Sequence, residues 1–245
     1  RRKKSNAPSG VGGPARRRGR RTANGVAANN NVIAVDGPAA SGKGTLARRL
    51  ARHFGFAHLD SGRLYRAVAL RCLKRGIAAE DEPAAAAQAQ GLTPEDLADP
   101  ALRGEATSAM ASRVAALPLV RRALVDYQRS FAAHPPGGGK GAVIDGRDIG
   151  TVICPDARVK LFITASVEER AGRRHKELLG LGVEAIYPAV LRDLKDRDAR
   201  DTTRTVAPLV RAKDAFLIDT TSMDADAAFA AALAYAIPRL AAGTN

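Results

Sequence analysis

Lys43 and Thr45 close a glycine-rich stretch, Asp36-Gly37-Pro38-Ala39-Ala40-Ser41-Gly42-Lys43-Gly44-Thr45, with the spacing G-x-x-x-x-G-K-x-T. Residues of these types in this order suit the phosphates of a nucleoside triphosphate. Glycines let backbone N–H groups turn toward an anion, and the positive end of a following helix adds to the attraction. The lysine would reach the outer phosphates, and the threonine would offer its hydroxyl to Mg²⁺. The motif needs a strand before it and a helix after it. Val32-Ile33-Ala34-Val35 reads as the strand and 46–54 as the helix. Gly37, Pro38, Ala39, Ala40, Ser41, Gly42, Lys43, Gly44 and Thr45 are therefore the expected loop for a nucleoside triphosphate.

Other residues fit phosphate chemistry by position. Asp145 ends an apolar run, Ala142-Val143-Ile144, where an acid can orient a Mg²⁺-bound water. Capping a helix or loop is the alternative, and both readings hold for Asp36. Arg197, Asp201 and Arg204 recur at i, i+4 and i+7, which is one helix face. Asp201 would then hold an arginine or accept a ribose hydroxyl, although a solvated face of ion pairs has the same spacing. Arg170, Arg173 and Arg174 lie in an Arg-rich pair of helices over about 168–198, broken near Gly180-Leu181-Gly182. This pair is expected to be a lid, with Arg170, Arg173 and Arg174 closing on nucleotide phosphates and excluding water, although an exposed basic helix has the same composition. His53, His58, His134 and His175 are scattered, so they are expected to be structural or exposed.

These residues need a scaffold, and the composition supports one. The chain has 245 residues, 45% of them hydrophobic, enough for one sizeable core with a small appendage. Only 4% are aromatic, so Ala, Leu, Val and Ile must fill it. No apolar run approaches membrane-spanning length. Cys72 and Cys154 have no C-x-x-C partner, which argues against a zinc site or disulfide framework and fits a cytoplasmic protein. Of the formal charge of +14, nine units belong to residues 1–31, which hold no acid, so the rest carries only +5. Residues 1–31 are expected to be a disordered basic extension, with 32–245 forming the folded domain.

Further strands are expected at 56–59, 142–145, 159–163 and 215–219. Helices are expected at 63–75 (capped by Asp60-Ser61-Gly62), 105–117, 119–133 and 224–240, with shorter starts at Glu80-Asp81-Glu82-Pro83 and Thr93-Pro94-Glu95-Asp96. Pro118 is expected to separate the two middle helices. The second of them carries Val120, Leu124, Tyr127 and Phe131 on one side. Strands alternating with helices predict an α/β fold, a parallel sheet covered on both faces. Ligands bind beyond the carboxyl ends of such strands, where Asp36, Asp60 and Asp145 fall.

Four blocks in order carry a family resemblance: Gly37 to Thr45, Leu59-Asp60-Ser61-Gly62-Arg63-Leu64-Tyr65-Arg66, Asp145-Gly146-Arg147-Asp148-Ile149-Gly150-Thr151-Val152 and Arg197-Asp198-Ala199-Arg200-Asp201-Thr202-Thr203-Arg204. From about Val32 to about Leu240 the chain resembles bacterial cytidylate kinases. The resemblance implies a phosphate-loop nucleoside-monophosphate-kinase fold and transfer of the γ-phosphoryl of ATP, with Mg²⁺, to CMP or dCMP. It also implies a cytoplasmic monomer. Lys43, Arg147, Arg197 and Arg204 would be catalytic. Ser61, Tyr65, Arg66, Ser112, Arg121, Arg147, Asp148, Arg197, Asp201 and Arg204 would hold CMP, with Asp148, Arg121 and Ser112 toward the base. Thr45, and Asp145 through water, would serve the metal. The family often carries a β-rich insertion in its monophosphate subdomain. The segment 76–104 is short and helical in character, so that subdomain is expected to be reduced.

The chemistry agrees with this resemblance. Two nucleotides crowd many negative oxygens together, so catalysis needs arginines from several segments, whose planar forks match phosphate oxygens. The acceptor is already an anion, so no strong base is required. A related kinase acting on UMP or AMP is the alternative within enzymes. A nucleic-acid-binding protein working through the basic extension is the alternative of another class, although the body lacks an aromatic-interleaved basic surface.

Overall fold

The computed structural model describes residues 31–242. The reading of 1–31 as a disordered arm, and with it any nucleic-acid role of that arm, therefore falls almost wholly outside the described residues. Five strands form one parallel sheet: β1 Val32–Asp36, β2 Ala57–Asp60, β3 Ala142–Gly146, β4 Val159–Thr164 and β5 Phe216–Asp219. Their order is β2-β3-β1-β4-β5. Nine α-helices are described: α1 Lys43–Phe54, α2 Ser61–Lys74, α3 Glu82–Gln88, α4 Pro94–Ala98, α5 Glu105–Val114, α6 Pro118–Ala133, α7 Val167–Gly180, α8 Tyr187–Thr203 and α9 Ala225–Ala241.

The period-2 alternation of β1 explains the layering. Val32 and Ala34 pack with Leu64, Val68, Val114 and Leu124 from α2, α5 and α6. Ile33 and Val35 face the other way, onto Leu46 and Leu50 of α1 and Ala232 of α9. A strand buried on both faces reads as a continuous apolar run, as this one does. Register brings the carboxyl ends level: Asp36 pairs with Gly146, and Asp60 with Asp145. With strands about 4.8 Å apart, the β1, β2 and β3 ends form one short row of functional groups.

Several boundaries differ from expectation. Pro118 does not merely separate two helices. It opens α6 as its first residue, where its missing N–H costs nothing, and α5 stops earlier at Val114. The buried stripe of α6 is Val120, Arg121, Leu124, Gln128 and Ala132, whereas Tyr127 is exposed. Asp60 occupies the cap position of α2, but its side chain makes no capping bond and pairs with Arg66 instead.

The segment between α2 and α5 is helical, with α3, α4 and a 3-10 turn at Pro100–Arg103, matching the expected reduced subdomain. One side chain organises it. Arg71 of α2 donates to the Gln88, Gln90 and Gly91 carbonyls and, through Nε and Nη2, to both oxygens of Asp96. Asp96 in turn closes a capping box with Thr93.

The charged pair α7 and α8 breaks after Gly180, as expected for the lid. Ala171, Leu178, Val190 and Leu194 hold the pair together and enclose Ala39 of the phosphate loop. Among the described residues no helix is long and apolar enough to cross a membrane.

Candidate functional site

The phosphate loop runs from the end of β1 into α1. A Cβ on Gly37 would stand 2.0 Å from the Ile163 carbonyl oxygen of β4, so no other residue fits there. Gly42 turns the chain into α1 with φ 87°, a left-handed conformation that glycine adopts without strain. The first turn of α1 has no side-chain cap and no acid, which leaves its N–H groups and positive dipole end open to an anion. Lys43 Nζ donates to the Pro38 carbonyl at 3.1 Å and so folds back over the loop. Burial, reinforced by repulsion from Arg147, pushes the Lys43 pKa down to about 7 against the pull of Asp145 and Asp60.

Beside the loop lies a cleft of about 330 Å³. It brings together Lys43, Ser61, Tyr65, Arg66, Ser112, Arg121, Asp145, Arg147, Asp148, Arg197, Asp201 and Arg204 from α1, α2, α5, α6, the β3 end and α8. All ten residues expected for the acceptor nucleotide thus share one cavity.

Its polar groups are cross-linked. Arg121 Nη2 donates to Asp148 at 2.5 Å, with both side chains buried. Arg204 lies 3.7 Å from the same carboxylate. Arg147 Nε donates to Asp201 at 2.8 Å. Arg121 also sits over the Tyr65 ring, 5.5 Å from its centroid. The nearby arginines hold the Asp201 carboxyl below its ordinary range despite its burial. Arg197 is the opposite case. Burial and the Arg147 charge lower its pKa to about 10. Its Nε, like Nη2 of Arg204, is buried with no hydrogen-bond partner. Ser61 spends its hydroxyl on the Asp145 carbonyl at 2.8 Å, so it braces α2 against β3.

The three lid arginines part company. Arg170 is buried and donates to the Ala165 and Ala39 carbonyls and to both oxygens of Asp198, so it clasps the loop and does not line the cleft. Arg173 is tied to Thr220, through Oγ1 and the carbonyl. Arg174 does line the cleft, where it bridges Glu177 and Glu105 of α5.

The two open readings at Asp36 resolve to capping. Its carboxylate accepts from the Ile149 and Gly150 N–H groups, the start of a π turn at Ile149–Ile153. It thus locks β1 to the segment that carries Arg147 and Asp148. Burial raises its pKa to about 7.

Sequence reasoning missed two residues. His58, expected to be structural or exposed, places Nε2 2.7 Å from Asp145 Oδ1. The signal was its place on β2, two residues before Asp60. Arg200 donates from α8 to the Ser112 hydroxyl at 3.1 Å. It lies three residues past Arg197, hence on the same helix face.

Among the described residues no three His, Cys, Asp or Glu side chains converge as a metal cage. Mg²⁺ bound with nucleotide phosphates needs only one or two protein oxygens and keeps its waters. Thr45 at the head of α1 and Asp145, whose Oδ2 is 3.6 Å from a Cβ placed on Gly44, are hard oxygen donors that fit.

Comparison with known proteins gives one family. The family model for cytidylate kinase matches residues 33–237. A cytidylate kinase of Paramagnetospirillum magneticum is 58% identical over 204 residues, covering 83% of this chain and 96% of the relative. One from a Methylobacterium species is 62% identical over 184 residues, 75% of this chain and 86% of the relative. One from Rhodospirillum rubrum is 55% identical over 202 residues, 82% and 95% of the two chains. With the phosphate loop, the arginine-lined cleft and the helical lid in their places, this chain belongs to the cytidylate kinase family.

Proposed function

We propose that the protein transfers the γ-phosphoryl group of ATP to CMP or dCMP, giving ADP and CDP or dCDP. The observation that carries this reading is the charge of the cleft. Seven cationic side chains face five carboxylates there, and buried N–H groups of Arg197 and Arg204 make no hydrogen bond within the protein. Such a cavity is suited to an anion, because buried N–H donors without acceptors and an excess of buried positive charge are costly.

The donor's phosphates would lie on the N–H groups of Gly37 to Thr45, with Lys43 moving from Pro38 to the outer phosphates. Thr45, and Asp145 through water, would hold Mg²⁺, which supplies charge neutralisation between the phosphates when bound. The acceptor phosphate would take Arg66, Arg147, Arg197 and Arg204, placing its oxygen in line with the γ-phosphorus. We assign Arg170 to bracing the loop at Ala39, and Arg174 to the phosphates once it leaves Glu105 and Glu177. Tyr65 and Arg121 would flank the base.

Cytosine offers an amine donor beside a ring-nitrogen acceptor. The Asp148 carboxylate suits the amine, and the Ser112 hydroxyl suits the nitrogen. Uracil presents the reverse pattern. Adenine presents the same pattern as cytosine and would be excluded by size.

We place the reaction in the cytoplasm, since Cys72 and Cys154 are unpaired thiols suited to a reducing compartment. We treat the enzyme as a monomer. A coupled assay with CMP, dCMP, UMP and AMP side by side tests the reading. CMP and dCMP should give the highest kcat/KM, and preference for UMP or AMP would overturn it.

A further inference from the structure

Ser112 is buried on α5, and its oxygen accepts a hydrogen bond from Nε of Arg200 on α8 at 3.1 Å. Ser112 lines both the acceptor cleft and a neighbouring pocket of about 300 Å³ between α5, α7 and α8. Arg200 lines only the neighbouring pocket. The guanidinium therefore reaches the hydroxyl from behind, on the side away from the acceptor.

We propose that Arg200 is a positioning residue for acceptor choice: it fixes the polarity of the Ser112 hydroxyl so that the cleft reads cytosine in preference to uracil. The inference rests on the assignment of Ser112 to the base edge. A serine hydroxyl has one hydrogen to give and lone pairs to accept with, and it rotates to suit its neighbours. Arginine only donates, and it keeps its charge at all ordinary pH. With one lone pair of the oxygen taken by Arg200, the hydroxyl hydrogen is left to turn toward the cleft. No acceptor among the described residues takes that hydrogen, so it is free for a ligand.

Cytosine N3 is an acceptor and meets the hydrogen directly. Uracil N3–H is a donor, and it would meet an oxygen already accepting from a charged guanidinium, with only its second lone pair left and its acceptor strength reduced. The same helix carries Arg197 and Asp201, both lining the cleft. The helix proposed to hold the acceptor phosphate therefore also sets the group that reads the base.

The test compares Arg200→Met, Arg200→Lys, Ser112→Ala and the Ser112→Ala/Arg200→Met double variant, by kcat and KM with CMP and UMP. Arg200→Met should lower the CMP:UMP ratio of kcat/KM by about tenfold, the scale of one directed hydrogen bond. The loss should fall on KM for CMP more than on kcat, with KM for ATP held. Arg200→Lys keeps a cationic donor and should recover most of the ratio. The double variant should lose no more than Ser112→Ala alone, since both changes remove one interaction. An unchanged ratio in Arg200→Met, when Ser112→Ala lowers it, overturns the inference and leaves the reading of Ser112 standing. Additive losses also overturn it. An unchanged ratio in Ser112→Ala removes the assignment of Ser112 itself, and the inference with it.

Discussion

Arg147, just past the end of β3, donates through Nε to Asp201 of α8 at 2.8 Å, with both side chains largely buried. This bond joins the sheet to the C-terminal end of α8, the second helix of the charged pair. Asp201 also lies 3.9 Å from Arg204, and its charge offsets that of Arg197. One carboxylate thus balances three cleft arginines. Asp201→Ala should destabilise the protein by about 3 kcal/mol, because a buried charge loses its partner. CMP should restore part of that, since its phosphate brings the missing negative charge and it binds only the folded state. Urea melts with and without CMP measure both terms. Equal melts of variant and parent would refute the role given to Asp201.

Lys43 gives a pH signature. With its pKa near 7 in the free protein, a large share of its ammonium is neutral above that pH. Polyphosphate favours the charged form, so ATP binding should draw in a proton, approaching about one per site near pH 8 and close to none near pH 6. The sign follows from the lowered pKa in the free protein and its recovery beside the anion. Calorimetry in buffers of differing ionisation enthalpy reads the proton count directly. Lys43→Met should abolish the uptake, and a variant that still takes up the proton would assign it elsewhere.

Much of the site was legible because its chemistry is written in contiguous residues. Gly37, Gly42, Lys43 and Thr45 announce a loop whose backbone geometry they themselves impose. The alternation in β1 and the apolar runs of β3 and β4 gave the two-faced sheet, and the break after Gly180 gave the two-helix lid. What stayed illegible depends on partners distant in sequence. Nothing local tells that Asp36 faces the Ile149 and Gly150 N–H groups, more than a hundred residues away. Arg170 and Arg174 are four residues apart on one helix, yet one clasps Ala39 and the other bridges Glu105. Their neighbours, not their spacing, decide that. Tyr127 looked like core by type, but the period of α6 placed Gln128 inward in its stead.

Arg71 should be the keystone of the reduced subdomain. Its five hydrogen bonds collect Gln88, Gln90, Gly91 and Asp96. Arg71→Ala should cost about 2 kcal/mol by removing the donor from three carbonyls and from Oδ1 of Asp96, whose Oδ2 keeps Thr93. Hydrogen exchange should accelerate over 82–103 before the sheet opens, because that segment has little core of its own. The pair also has a pH window. Arg71 is the largest cause holding the Asp96 pKa down, at about 2. A carboxyl lowered in the folded state stabilises the fold above its unfolded value of about 3.9, and the contribution is lost as pH falls toward 2. Acid unfolding of Arg71→Ala should therefore begin at higher pH than in the parent. Coincident acid transitions would show that the pair contributes nothing.

Asp148 is the sharpest test of acceptor recognition, because its carboxylate is a counterion in the structure and is proposed to read the base. It is buried between Arg121 at 2.5 Å and Arg204 at 3.7 Å. Asp148→Asn keeps the shape but removes the charge, and the amide can present an N–H where the carboxylate could only accept. Cytosine's amine would lose an ionised acceptor, worth about 2 kcal/mol or some thirtyfold in kcat/KM. Uracil O4 would gain a donor in the same place, so its kcat/KM should fall much less or rise. The CMP:UMP ratio therefore drops from both sides. Stability supplies the second readout: Arg121 and Arg204 lose their shared counterion, so the variant should melt lower than the parent. That loss should be smaller in Asp148→Asn/Arg121→Met, where one of the stranded cations is gone. Should the CMP:UMP ratio survive Asp148→Asn while stability falls, Asp148 is a counterion only, and the base is read elsewhere.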